Sequence, residues 1–378
     1  MTETKMNGAE SLVHTLLANG VDTCFTNPGT SEMHFVAALD HIAGMRSVLV
    51  LQENVATGAA DGYYRMTGKP ASTLLHLGPG LANGLSNLHN AKKAGSGIVN
   101  IIGEHASTHI ELDAPLTSDI EGIARPVSHW VHSSKSAKDV GRDAADAVHA
   151  AMVAPGQIAS LILPSDTAWN EGGVAQDAID MPTPAPFDAD QLDTAAAALG
   201  GEETLLLLGG GALTESNLEI AGRIAAKTGC KILSEWSNAR MERGAGRVFI
   251  NRVPYPIDIA LKVLEPFKRI VLIGARAPIG FFAYPDKPAI LTREGAQITT
   301  LADAGADLTA ALEALRDATG AAFDAAGCDC GGRIRDHRPR VLSCHQRSAC
   351  AYVDQQLWWL HRLCHACGDW RCRGLPRP

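Results

Sequence analysis

Short apolar runs alternate along the chain with stretches of helical spacing. Ala9 to Leu17 has apolar residues at helical spacing and ends at Asn19-Gly20, a C-cap signal. Val21 to Phe25 reads as a strand. Thr26 to Glu32 is a turn containing Pro28 and Gly29, and a Thr or Ser N-cap then opens a helix through His34 and Leu39. Val48 to Leu51 reads as a buried strand, ended by the lone carboxylate Glu53. Ala56, Ala59, Ala60 and Gly62 follow at helical spacing, small enough to let another backbone or a ligand come close. Ala71 to Leu75 is a third strand, followed by the turn His76 to Asn83 and a helix through Asn87, Asn90 and Ala91. Ile98 to Ile102 is a fourth, ending in Gly103-Glu104-His105. Asp113 to Pro126 is polar and irregular, Ala137 to Met152 an amphipathic helix, and Ile158 to Leu163 a closing strand.

Strand, Gly/Pro turn and helix thus recur as in a doubly wound parallel α/β sheet. In such a sheet the turns Asn27–Glu32, Gln52–Asn54 and His76–Asn83 share the edge at the strands' C-terminal ends, where ligands bind. Taken alone, Glu53 is an acid in a first helical turn, favoured there by the helix dipole. The Pro-rich stretch Pro182 to Pro186 reads as a linker. Beyond it a second, Rossmann-like unit is expected, with strands at Thr204–Leu208, Lys231–Ser234 and Arg269–Ile273 and a helix at Glu215–Thr228. Its Gly209-Gly210-Gly211 lacks a full G-x-G-x-x-G and reads as a tight βα turn without a cofactor. The expected division is a first domain over 6–172, a linker over 173–186, a middle α/β domain over 187–320 and a tail over 321–378.

Composition changes this picture chiefly at the C-terminus. The formal charge of -8 argues against nucleic-acid or anionic-membrane partners. No run approaches a membrane span and the N-terminus shows no signal peptide, so a cytoplasmic location is expected. Seven of the nine cysteines fall between Cys328 and Cys372, and the stretch from Cys328 to Pro378 holds nine arginines and no lysine. Cys364 and Cys367, with His361, His365 and Cys372 nearby, have the spacing of a zinc module, but the other cysteines complete no paired array. The alternative, and the favoured reading, is that this irregular stretch is an out-of-frame translation of GC-rich DNA.

The first domain resembles the pyrimidine-binding domain of thiamine-diphosphate enzymes of the acetolactate synthase and benzoylformate decarboxylase group. The resemblance runs from about Met6 to Trp169 and rests on motifs in order: Asn27-Pro28-Gly29-Thr30-Ser31-Glu32, then Glu53-x-x-Ala56-x-x-x-Ala60-Asp61-Gly62-Tyr63-x-Arg65-x-Thr67-Gly68-Lys69-Pro70, then Gly78-Pro79-Gly80-x-x-Asn83 and Arg125-Pro126. It is similar above all to acetolactate synthase large-subunit-like proteins, and residues from about Pro186 to Leu315 resemble that family's middle domain.

The resemblance implies thiamine diphosphate and Mg²⁺ as cofactors and 2-oxo acids as substrates. It implies that Glu53 hydrogen-bonds the cofactor's aminopyrimidine ring and that His76 matches a proton-transfer histidine of the decarboxylase branch. Asn27, Pro28, Gly29, Thr30, Gly78, Gly80 and Asn83 would line the cofactor. The second histidine of that branch is expected near Gly280 to Tyr284, where none stands, and Pro115-Leu116 occupies the place of the synthases' Phe-Gln. The family's diphosphate and Mg²⁺ ligands lie in a third domain built around Gly-Asp-Gly, whereas here Gly368-Asp369 is followed by Trp370. A homo-oligomer through the pyrimidine domain is implied, with a full-length subunit as a further partner. The alternatives are a benzoylformate decarboxylase-like enzyme and a non-catalytic, dimerising or regulatory α/β protein.

Overall fold

The computed structural model describes residues 6–321. The expectations for the cysteine- and arginine-rich tail, zinc module or otherwise, lie outside the described residues.

The first part of the chain runs α1 (Gly8–Ala18), β1 (Thr23–Asn27), α2 (Met33–His41), β2 (Arg46–Leu49), α3 (Glu53–Thr67), β3 (Ala71–Leu75), α4 (Leu77–Ala94), β4 (Ile98–Glu104), α5 (Ile120–Ala124), β5 (Trp130–Ser133), α6 (Val140–Met152), β6 (Ile158–Pro164) and α7 (Ser165–Trp169). Its six strands are all parallel, in the order β2-β1-β3-β4-β6-β5. Side chains alternate across the sheet, so Leu74, Ile101 and Leu161 join the core on the α1/α6 face. Their neighbours Leu75, Ile102 and Ile162 join the core beneath α3 and α4. With both faces covered, the central strands are apolar almost throughout, as parallel strands require.

One polar thread crosses the buried sheet. Thr73 Oγ1 donates to Asn100 Oδ1 at 2.8 Å, Asn100 Nδ2 donates to Ser160 Oγ at 3.1 Å, and Ser160 and Ser128 share a hydrogen bond of 2.8 Å. Strand register places Thr73, Asn100 and Ser160 side by side, so each buried polar atom finds its partner on the next strand.

The second part carries α8 (Leu192–Ala198), β7 (Thr204–Leu208), α9 (Glu215–Thr228), β8 (Lys231–Ser234), β9 (Asn251–Arg252), α10 (Ile257–Leu264), β10 (Arg269–Ile273), β11 (Gln297–Ala302) and α11 (Leu308–Ala318). Its five strands are also parallel, in the order β11-β10-β7-β8-β9. Residues 172–184, between the two sheets, form no helix or strand. The end of α3 meets the segment after β8, where Arg240 donates to the carbonyls of Arg65 and Met66. Among the described residues, no helix is long and apolar enough to cross a membrane.

Four local expectations need correction. Val48 to Leu51 is not a buried strand: β2 ends at Leu49, lies at the sheet's edge, and leaves Leu49 72% and Leu51 96% exposed. An apolar run signals burial only where both neighbouring strands exist, and β2 pairs on one side alone. The turn after β1 is not capped by Thr or Ser; a 3₁₀ turn, Thr30–Glu32, leads into α2 with Glu32 at the N-cap. Asp113 to Pro126 is not wholly irregular, because Asp119 accepts from the Gly122 N–H and caps α5. The stretch after α5 also forms β5, which sequence periodicity did not reveal.

Asn100→Leu strands the Thr73 hydroxyl in the core and leaves Ser160 only its bond to Ser128, and should cost about 1–3 kcal/mol of unfolding free energy. Urea denaturation of the purified chain checks this; a loss under about 0.5 kcal/mol would contradict the role of the thread.

Candidate active site at the switch point of the first sheet

The chain leaves β1 towards β2 and then crosses back to β3, so the strand order reverses between β1 and β3. A crevice opens at such a switch point, outside the carboxyl ends of the strands. The residues that follow these two strands, Gly29 and His76, meet there. A Cβ on Gly29 would fall 2.2 Å from His76 Nδ1, so the turn after β1 lies directly on the imidazole. Only a residue without a side chain fits.

His76 is the N-cap of α4. The next residue, Leu77, is fully buried and adopts φ of 47°, a left-handed conformation costly for a side-chain-bearing residue. That strain is held by the core around Leu77, and it fixes where His76 leaves β3. Gly80, one turn into α4, links His76 to Glu53. A Cβ there would lie 3.0 Å from Glu53 Oε1 and 3.3 Å from His76 Cβ. The carboxylate and the imidazole therefore flank one glycine.

Glu53 is the first residue of α3 and only 7% exposed. Its Oε2 accepts from Asn83 Nδ2 at 3.1 Å, and its Oε1 is turned to Gly80. The helix N-terminus favours the negative charge. The position is fixed by close packing of α3 on α4: Thr57 Oγ1 donates to the Gly84 carbonyl at 3.1 Å and Asn87 Nδ2 to the Asn54 carbonyl at 2.8 Å. A Cβ on Gly84 would come within 2.9 Å of Thr57, so the approach depends on glycine. At the far end of α3, Arg65 grips Asp61 through two hydrogen bonds of 2.8 and 2.7 Å, and Ser96 donates to the same carboxylate. The Asp61 to Arg65 part of the motif thus holds the helix in place.

The other residues singled out in the sequence divide. Gly29, Gly80, Asn83, Glu53 and His76 come together at the switch point. Asn27 spends its side-chain amide on the Val50 carbonyl, 2.8 Å away, tying β1 to the segment before Glu53. Pro28 is half-buried and Thr30 exposed in the same turn. Gly78 faces Ser118, whose Oγ would lie 1.9 Å from an added Cβ, so it makes room for the 113–126 segment. Arg125 forms an exposed ion pair with Glu121. Phe281, Phe282 and Tyr284, where a second histidine was sought, form an exposed ring cluster with Trp236 and Tyr255.

Sequence reasoning overlooked two acids on this edge. Glu32 contacts His76 directly, with Oε2 2.8 Å from Nδ1. Its spacing of three from Gly29 was the available signal. Glu104, at the end of β4, is 7% exposed, and burial pushes its carboxyl above the usual range despite a hydrogen bond from the His105 N–H.

A carboxyl whose pKa is raised on folding adds stability below its unfolded pKa and loses that contribution as pH rises through the folded value. Glu104→Gln should therefore melt higher than the parent chain at neutral pH. The gain should vanish as pH falls below the ordinary carboxylate range. Thermal melts across pH check this; a pH-independent difference would contradict it.

Several known proteins are similar to this chain. Residues 6–125 match the family described as thiamine pyrophosphate enzyme, N-terminal TPP binding domain. Over 310 residues the chain is 47% identical to a Mycobacterium tuberculosis protein provisionally described as acetolactate synthase large subunit IlvX, covering 81% of this chain and 60% of that protein. It is 32% identical over 152 residues to benzoylformate decarboxylase of Pseudomonas aeruginosa, covering 40% of this chain and 28% of that enzyme. Among solved structures, the thiamine-diphosphate-dependent 4-hydroxybenzoylformate decarboxylase of Rhodococcus jostii RHA1 shares the fold, with a TM-score of 0.70 at 22% identity over 82% of this chain and 62% of that one. The chain thus spans about three fifths of the length of the relative that it matches over most of its own. Residues 6–125 are thus similar to the N-terminal TPP-binding domain of thiamine pyrophosphate enzymes.

Proposed function

We propose that this chain supplies the aminopyrimidine-binding edge of a thiamine-diphosphate-dependent carboligase or decarboxylase acting on 2-oxo acids. The observation that carries the reading is Glu53, a buried carboxylate at the β1/β3 switch point with one oxygen on Asn83 and the other turned to a glycine. An aminopyrimidine offers ring and exocyclic nitrogens to such a carboxylate, and a charge-assisted bond in a dry site is strong. Gly29 and Gly80 leave room for a flat ring. On this reading residues 6–172 are the pyrimidine-binding domain and 187–320 the middle domain.

When bound, thiamine diphosphate supplies an electron sink for breaking the bond beside a 2-oxo acid's carbonyl. Glu53 orients the ring and holds a proton at Oε1. His76, whose Nε2 has no protein partner among the described residues, takes up or delivers a proton at the same edge. A histidine here supports the decarboxylase branch over the synthases.

The diphosphate and Mg²⁺ need clustered oxygen ligands. Among the described residues no group of three His, Cys, Asp or Glu could hold a metal ion. On this reading another domain or subunit supplies them. The exposed Leu49, Leu51 and Val55 beside Glu53 support a protein partner on that side, as a homo-oligomer or with a longer subunit. A cytoplasmic location follows from the same family reading.

Glu53→Gln should weaken binding of 4-amino-5-hydroxymethyl-2-methylpyrimidine, the ring fragment of thiamine, by about 10- to 100-fold, the worth of a charge-assisted hydrogen bond. Calorimetric titration of the parent and variant chains checks this. Equal affinities would overturn the role of Glu53.

A further inference from the structure

Glu32 is a buried acid that the reading above does not use. It is 3% exposed, and both of its contacts lie at the switch point. Its Oε2 accepts from the Gly29 N–H at 2.7 Å and from His76 Nδ1 at 2.8 Å. Its Oε1 accepts from no protein group among the described residues and lies over Gly103 in β4, so close that a Cβ there would be 1.6 Å away. A carboxylate that only capped the turn after β1 would need one oxygen on one N–H and could stay in water. This one is drawn under the sheet's edge, into a space that exists because residue 103 is glycine. A buried acceptor left without a partner is destabilising. What the arrangement provides in return is a fixed imidazole.

We propose that Glu32 is the positioning residue for His76. It sets the neutral ring with its proton on Nδ1, so that Nε2 is the basic nitrogen presented to the substrate edge. The geometry is restrictive from three sides: Glu32 holds Nδ1, Gly29 covers the ring, and the strained Leu77 fixes the backbone. Imidazole has two inequivalent nitrogens, and the hydrogen bond made by one decides what the other can do. Without the carboxylate, the ring is free to carry its proton on Nε2, which then donates where it should accept. The inference deepens the proposed function, since it rests on His76 as the proton-transfer group, but its test needs neither cofactor nor substrate.

The test is the tautomer of His76 in the intact chain. Two-bond ¹H–¹⁵N correlation spectra are recorded at a pH where the ring is neutral, with the His76 signals assigned by their loss in His76→Asn. The parent chain should show the Nδ1–H form. Glu32→Gln keeps an acceptor oxygen and should retain it; Glu32→Ala should lose it in favour of Nε2–H. An Nε2–H ring in the parent chain overturns the proposal by itself, whether or not the alanine variant folds. An unchanged ring in a folded Glu32→Ala chain overturns it equally. Failure of the aminopyrimidine fragment to bind would count against the proposed function and leave this result standing.

Discussion

Glu53 can keep a carboxylate nearly out of water because the atom facing it belongs to a glycine. Gly80 leaves about the space of one methyl group between that carboxylate and His76, and the helix N-terminus compensates the charge. Everything around the pair holds that gap open. α3 and α4 approach through Gly84 and Thr57, Asn83 takes one carboxylate oxygen, and Leu77 accepts a left-handed backbone so that α4 starts where it does. Glycines at 29 and 103 repeat the device for the imidazole and for Glu32. The crevice is built from missing side chains.

The parallel sheet explains why these residues meet. β1 and β3 are adjacent, although a strand and two helices separate them in the chain. Each delivers a residue of the turn that follows it, Gly29 and His76, to the same edge. The hydrogen-bonded thread from Thr73 through Asn100 to Ser160 fixes the register of the strands behind that edge. A slip of one residue would turn the buried polar groups to the opposite face and would carry His76 out of line with Gly29.

Much of this was legible in the sequence, for definable reasons. The βα alternation and the shared edge follow from periodicity and from Gly/Pro turns, which are local signals. Glu53, His76, Gly29, Gly80 and Asn83 were found because they stand in ordered motifs. The exposure of Leu49 and Leu51 was not legible, because whether a strand lies at an edge depends on pairing partners far along the chain. Gly78 and Asn27 share the motifs but serve neighbouring segments, which only the contacts with Ser118 and Val50 reveal. Glu32 stands in a motif with no role legible from its neighbours, since its partner His76 is 44 residues away.

The central claim is that an aminopyrimidine is recognised at the β1/β3 edge of the first sheet. The most direct measurement is amide chemical-shift mapping of the labelled chain titrated with 4-amino-5-hydroxymethyl-2-methylpyrimidine, the ring fragment of thiamine. The account predicts shifts concentrated at Gly29, Glu53, His76, Gly80 and Asn83. Shifts centred instead on the Gly209 and Gly274 edge of the second sheet, or none at saturating fragment, would contradict it.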